Sequence, residues 1–259
     1  MRIGMLGCGN IGRFLLQSLN QEGSKEKIVA IHSRNYEKTT KIAESYGAKS
    51  YASLESFLEA DLDLVVEVAT IEVVHASALT VLEKRLPLIV SSIGAFSERK
   101  FLQAVQEKCT NCETEVYIPS GAVGGLDLIQ SANVLGGLES VQLMTRKPAH
   151  SLQGAENIVK EKVVFEGTAH EAIMLYPRNM NVAIAISLAG IGAERTTVQL
   201  IADPSIEKNI HTITARGDFG EFSLEVNNEA MPGNPKTSYL AALSVLSSVK
   251  EESRRIKIL

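Results

Sequence analysis

The groups best suited to chemistry in this 259-residue chain are five histidines, three cysteines and a glycine-rich turn at the start. Gly7-Cys-Gly-Asn-Ile-Gly12 has the spacing G-x-G-x-x-G. It follows a short apolar run at residues 2–6 and opens a stretch with helical spacing, Ile11, Phe14, Leu15, Ser18 and Leu19. In that context each glycine has a physical task. Gly7 permits a tight turn, Gly9 lets the backbone approach a pyrophosphate, and Gly12 lets the helix pack closely on the strand. The diphosphate would then rest on free N–H groups at the positive end of the helix, around Asn10 and Ile11.

A site that selects NAD carries an Asp or Glu about 20 residues further on, at the end of the second strand, to bind the ribose hydroxyls. The count arrives at His32-Ser-Arg-Asn35, which has no acid. Ser33 and Arg34, with Lys38 or Lys41 nearby, suit the 2′-phosphate of NADP instead. The expected cofactor is therefore NAD or NADP, with NADP or dual use favoured. Ala69 and Thr70 end a later apolar run, at the sheet edge where the cofactor ribose and nicotinamide are expected.

Among the histidines, His32 falls at the adenosine end, His75 in a helical stretch, and His150 and His170 in polar segments read as loops; all four read as solvated or structural. His211 differs. It lies on a strand, after the turn-forming Asp203-Pro-Ser205 and before polar Thr212 and Thr214. An imidazole with an ordinary pKa near 6.5 suits acid–base work beside a nicotinamide, although an ordinary strand histidine fits the position equally well. Cys109-Thr-Asn-Cys112 lacks the second ligand pair a structural zinc requires, so no metal is expected. Cys8 sits in the turn with no evident base beside it. No G-x-S-x-G, H-E-x-x-H or Walker pattern occurs.

These groups need elements to position them. Apolar runs at 2–6, 28–31, 62–69 and 86–91 alternate with helical stretches at 36–46, 54–59 and from about 73. Gly47 stands at the end of one helix and Ser53 caps another. That order predicts a doubly wound, Rossmann-type parallel sheet over residues 1–119. After Pro119 a glycine-rich break precedes strand-like segments at 141–145, 162–166, 197–202, 211–215 and 221–226, the last two flanking a hairpin. An Ala-rich helix is expected over 179–189. Residues 120–236 thus read as an α+β domain with an open, mostly antiparallel sheet for substrate binding and dimerisation, and residues 237–259 as a helix returning to the first domain.

Composition sets the outer limits. Hydrophobic residues make up 45% of the chain, enough for a full core, and 26 Lys and Arg against 30 Asp and Glu leave a net charge of −4. A mildly acidic chain without a basic block gives nucleic acid no footprint. No apolar run approaches the ~18 residues of a spanning helix. An odd number of cysteines suits a reducing cytoplasm rather than a disulfide scaffold. The expected partner is a small-molecule substrate, with no membrane or nucleic acid, in a cytoplasmic homodimer.

Beyond spacing, the residues themselves resemble the L-aspartate dehydrogenase family over essentially the whole chain. The likeness is carried by Gly7 to Gly12, Ser91-Ser-Ile-Gly-Ala95, Pro119-Ser-Gly-Ala-Val-Gly-Gly-Leu-Asp127 and Thr145-Arg-Lys-Pro148. It continues through Pro177-Arg-Asn-Met-Asn-Val-Ala183, Ala202-Asp-Pro204 with Asn209 and His211, and Asn234-Pro-Lys-Thr-Ser238. The resemblance implies NAD(P)-dependent oxidative deamination of L-aspartate to iminoaspartate, which hydrolyses to oxaloacetate and ammonia or feeds NAD biosynthesis. It makes His211 the active-site histidine and places Ala122 and Asn181 at the nicotinamide. Ala69-Thr-Ile-Glu72 and Pro-Ala-His150 depart from the family's usual residues. Charge alone nominates Lys147, Asn181, Asn209 and Lys236 for the two substrate carboxylates. The rival readings are another two-domain dehydrogenase, of the homoserine or sugar type, and a non-catalytic NADP-binding sensor. The sugar type would show Glu-Lys-Pro where this chain has Ser91-Ser-Ile-Gly94.

Overall fold

A computed structural model describes residues 1–152, 154–176 and 180–256, with the side chains of residues 235 and 236 outside that description. The chain divides into two compact units. One is Met1–Pro119 with a C-terminal segment that begins at Ala242; the other is Ser120–Ala241.

In the first unit, strands and helices alternate: β1 (Arg2–Leu6), α1 (Asn10–Leu19), β2 (Lys27–His32), α2 (Tyr36–Ser45), β3 (Lys49–Tyr51) and α3 (Leu54–Leu58). They continue with β4 (Leu64–Glu67), α4 (Ile71–Glu83), β5 (Leu88–Val90), a 3-10 turn (Ile93–Ser97), α5 (Arg99–Cys112) and β6 (Val116–Tyr117). The strands form one parallel sheet in the order β3-β2-β1-β4-β5-β6. From β1 the chain winds outward one way through β2 and β3, then crosses back to β4 and winds the other way. That reversal lies between β1 and β4 and opens a crevice at their carboxyl ends. β4 and β5 are buried along their whole length, as expected of strands covered on both faces.

Local signals fix the helix ends. The Asn35 side chain accepts from the Lys38 N–H (3.1 Å) and the Ser53 hydroxyl from the Ser56 N–H (3.2 Å). Gly47 takes φ +69° just beyond α2, a conformation that favours glycine. Ile3 and Met5 of β1, Leu15, Leu16 and Leu19 of α1, and Ile28 and Ile31 of β2 share one core cluster with Val245 and Val249. Burying each Leu or Ile contributes about 1.5–3 kcal/mol relative to exposure.

The second unit holds α6 (Leu126–Asn133), β7 (Leu138–Pro148), β8 (Lys162–Thr168), α7 (Ala169–Leu175), α8 (Asn181–Ala189), β9 (Thr196–Asp203), β10 (Asn209–Gly217) and β11 (Gly220–Asn228). Two short strands follow, β12 (Ala230–Met231) and β13 (Asn234–Ser238), and then α9 (Tyr239–Ser253), whose later turns belong to the first unit. The main sheet runs β11-β10-β7-β9-β8. Its pairings are antiparallel except β7 with β9, which is parallel. The sheet is thus mostly antiparallel, as expected. β7 is longer than the residue pattern alone suggested.

Two placements differ from the sequence reading. The helix expected from residue 237 begins at Tyr239, because Thr237 and Ser238 belong to β13, where Ser238 pairs with Ala230 of β12. His170 lies in the first turn of α7 rather than in a loop. Thr168 and Glu171 form a reciprocal capping box, the Thr168 hydroxyl accepting from the Glu171 N–H (3.2 Å) and a Glu171 oxygen accepting from the Thr168 N–H (2.8 Å). The Thr-x-x-Glu spacing was in the sequence and starts a helix that a polar-loop reading overlooks. The Ala-rich helix begins at Asn181 among the described residues; Pro177 and Asn179 of its expected approach lie outside them. No helix among the described residues is long and apolar enough to cross a membrane.

A test of the packing follows from Gly12. A Cβ there would lie 3.0 Å from the Gly7 carbonyl oxygen and 3.3 Å from the Met5 thioether. Gly12→Val should lower the unfolding free energy by about 1–3 kcal/mol through overpacking, despite relieving glycine's entropic cost in a helix. Urea unfolding followed by circular dichroism would measure it, and wild-type stability would show that this contact has slack.

Candidate active site

The glycine turn sits at the carboxyl end of β1, beside the reversal in strand order. Gly7 has φ +100°, and its N–H donates to the His32 carbonyl (2.9 Å). A side chain at position 7 would meet the Ala69 Cβ at 2.7 Å and the Val68 carbonyl at 2.9 Å. Gly9 caps α1 without a side-chain bond, and a Cβ added there would have no neighbour within 4 Å. No acidic residue occupies the first turn of α1. An open cradle over uncapped, positively polarised amides fits a diphosphate, and Asn10 and Ile11 stand in that first turn.

At the end of β2, the Ser33 hydroxyl is hydrogen-bonded to the buried Thr39 hydroxyl, and the His32 ring nitrogen Nδ1 lies 3.0 Å from the Tyr51 carbonyl. Arg34 is exposed. Ala69 and Thr70 lead from β4 into α4, with Thr70 at the helix cap.

Between these loops lies a residue the sequence reading passed over. Glu67, the last residue of β4, is fully buried. Its Oε1 accepts from the Ala69 N–H (2.6 Å) and the Ser92 hydroxyl (2.8 Å), and its Oε2 from the Ser92 N–H (2.9 Å). Burial raises its pKa, opposed by these donors. The signal was present in the chain: a single carboxylate inside an otherwise apolar run is either misplaced or bonded on every side.

The second unit builds its own cluster. His211 pairs in register with Thr145 across β10 and β7, and Lys147 follows two residues later on the same face of β7. The imidazole is buried, and its Nδ1 lies 3.0 Å from the Thr145 Oγ1. Desolvation, with a smaller contribution from the Lys147 charge, pushes the His211 pKa down from 6.5 to about 4. Burial brings the Lys147 ammonium down from 10.5 to about 8. The ordinary histidine pKa assumed from sequence is therefore replaced by a neutral imidazole beside a lysine that titrates near neutrality.

Asn209 opens β10, opposite Asn228 of β11. The buried Asn228 amide donates to the Ala122 carbonyl (3.0 Å) and accepts from the Ser238 hydroxyl. The glycine-rich loop carrying Ala122 is thus tied to the end of β11, whose Asn228 faces Asn209, two residues before His211. Neither Asn228 nor Thr145 was assigned a role from sequence, since a lone Asn or Thr on a strand carries no distinctive spacing. Asn181 is exposed at the start of α8. The backbone of Lys236 lies in β13, and its side chain is outside the described residues. Cys8, Cys109 and Cys112 are free thiols. No group of three or more His, Cys, Asp or Glu able to hold a metal occurs among the described residues.

A doubly wound sheet with a glycine cradle at its switch point, followed by a mixed-sheet unit with a buried His beside a half-buried Lys, defines an oxidoreductase that uses a pyridine nucleotide. Residues 7–119 match the family described as homoserine dehydrogenase, NAD binding domain, and residues 127–252 the family described as aspartate dehydrogenase, C-terminal. The L-aspartate dehydrogenase of Methanosarcina mazei is 38% identical, covering 100% of this chain and 99% of its own. That of Methanocella arvoryzae is 36% identical, with 99% and 98% covered. The crystal structure of aspartate dehydrogenase from Thermotoga maritima superposes with a TM-score of 0.82 at 27% identity, covering 100% of this chain and 99% of that one. A myo-inositol dehydrogenase from Corynebacterium glutamicum, 15% identical with a TM-score of 0.54 over 98% and 89% of the two chains, shares the fold. The chain belongs to the L-aspartate dehydrogenase family.

The electrostatics of the cluster can be measured directly. Because the folded imidazole titrates at about 4 and the ordinary one at 6.5, the unfolded chain binds more protons in that window. His211 therefore costs the fold stability as pH falls from 6.5 to about 4, and contributes no pH dependence above it. In an NMR titration His211 should hold a neutral imidazole down to mildly acidic pH. Lys147→Met should move its midpoint upward by removing the neighbouring charge. A His211 midpoint at the ordinary value, unmoved by Lys147→Met, would contradict the cluster.

Proposed function

We propose that this chain catalyses the NAD(P)-dependent oxidation of L-aspartate to iminoaspartate, which hydrolyses to oxaloacetate and ammonia, and the reverse amination, in aspartate metabolism or the supply of NAD. The observation that carries this reading is the buried Thr145–His211 pair with Lys147 on the same sheet face, in a chain whose whole length matches aspartate dehydrogenases. A nicotinamide dinucleotide, when bound, supplies the hydride acceptor. Gly7, Gly9 and Gly12, with the amides around Asn10 and Ile11, would hold its diphosphate, Ala69 and Thr70 its ribose, and Ala122 and Asn181 its nicotinamide end.

His211 is the acid–base residue in this reading. With Nδ1 donating to the Thr145 oxygen, Nε2 carries the lone pair and takes a proton from the substrate ammonium or from the water attacking the imine. A pKa near 4 makes that imidazole a weak base in its buried place beside the Lys147 charge. A substrate carboxylate on Lys147 changes this by offsetting the like charge, which raises the imidazole's proton affinity when the substrate is in place. Asn181, Asn209 and Lys236 complete the proposed carboxylate set.

Cofactor choice turns on Arg34. It is exposed at the end of β2, where no carboxylate stands to bind a ribose 2′-hydroxyl, which supports NADP or dual use. Among the described residues no further strand lies beside the outer strands β11 and β8 of the second sheet, which supports a homodimer. Three free thiols are in keeping with a reducing cytoplasm.

Absorbance at 340 nm should rise with L-aspartate and either NAD or NADP. His211→Ala should lower kcat by about 10²–10⁴-fold while cofactor binding stays intact. Turnover on a sugar or on homoserine, with none on aspartate, would reject the reading. Arg34→Ala should raise KM for NADP about ten-fold and leave KM for NAD within two-fold, as loss of one charge-assisted phosphate contact requires. Equal effects on both cofactors would remove Arg34 from that role.

A further inference from the structure

Glu67 pairs in register with Leu6, the residue just before the glycine turn, across the two strands where the sheet order reverses. The loop after it touches that turn, since the space a Gly7 side chain would need is filled by Ala69 and the Val68 carbonyl. The same carboxylate that fixes the Ala69 N–H also fixes the backbone and hydroxyl of Ser92, in the loop after β5. One buried side chain therefore ties the carboxyl ends of β4 and β5 together and sets the wall against which the glycine turn closes.

We propose that Glu67 is a positioning residue for the dinucleotide: it holds residues 68–70 against the glycine turn, and its fixed negative charge favours the oxidised, cationic nicotinamide over the reduced, neutral one. The inference rests on the reading that the dinucleotide occupies this sheet edge. The three donors favour the charged form, against the burial that raises the pKa. The Ala69 N–H points at one oxygen and the Ser92 N–H at the other, and backbone donors cannot turn away. A glutamine must aim its NH2 group at one of these N–H groups whichever way its amide is flipped, so a carboxylate satisfies both donors where an amide does not. A buried anion acts on nearby charge through a low dielectric, with little screening by salt.

The test is calorimetric titration of the full-length protein with NADP+, NADPH, NAD+ and NADH. Wild type should bind. In Glu67→Gln the Kd for the oxidised forms should rise about ten-fold and that for the reduced forms at most about three-fold, as loss of one buried charge predicts. A loss of order without a charge effect would weaken both forms equally, and that result overturns the electrostatic role. Ser92→Ala keeps the charge and removes one donor, so both Kd values should rise together by about three-fold with their ratio unchanged. If Glu67→Gln fails to fold, Ser92→Ala decides: unchanged Kd for both forms, or an altered ratio, overturns the proposal. Wild type that binds none of the four nucleotides would overturn the dinucleotide reading itself, whereas normal binding by both variants overturns only the part given to Glu67.

Discussion

The first unit depends on how closely two backbones approach at the reversal of its sheet. Gly7 and Ala69 come together at a distance that leaves no room for a side chain on residue 7, and Gly12 brings α1 onto the same turn. Larger residues would push α1 away from β1 and turn its first amides from the crevice. The core beneath, Met5 against Leu15 and Leu16, holds the helix at that depth. Close packing and an open cradle are thus one constraint: the chain is tight below the turn so that it can be empty above Gly9.

That constraint explains why so much of the first unit was legible in the residues. Parallel strands must be buried on both faces, so they announce themselves as continuous apolar runs. The glycines that permit close approach are equally visible, because no other residue type serves. Glu67 marks where the reading stopped. Inside such a run a carboxylate has meaning only through its partners, and Ser92 lies 25 positions away on another loop. Sequence spacing carries no record of a hydrogen bond closed by the fold.

The second unit was less legible for a related reason. Half-exposed strands in a mixed sheet give shorter and weaker patterns, so β7 read as five residues where eleven form the strand. The Thr145–His211 contact joins residues 66 apart and follows from the β7–β10 register alone. His211 could be nominated from its neighbours and from family resemblance. Its protonation state could not, because desolvation is a property of what covers the ring.

Desolvation also gives the His–Lys pair its logic. Burial strips water from both basic groups and the Lys147 charge further disfavours the imidazolium, so the cluster favours a neutral imidazole and a lysine held near its titration point. A dicarboxylate opposes both tendencies by bringing negative charge to that cluster. An amino acid with an apolar side chain brings only one carboxylate, whereas aspartate brings two. Selectivity for an acidic substrate and activation of the imidazole would then arise from the same electrostatics, so that the base gains strength only when the right substrate is bound.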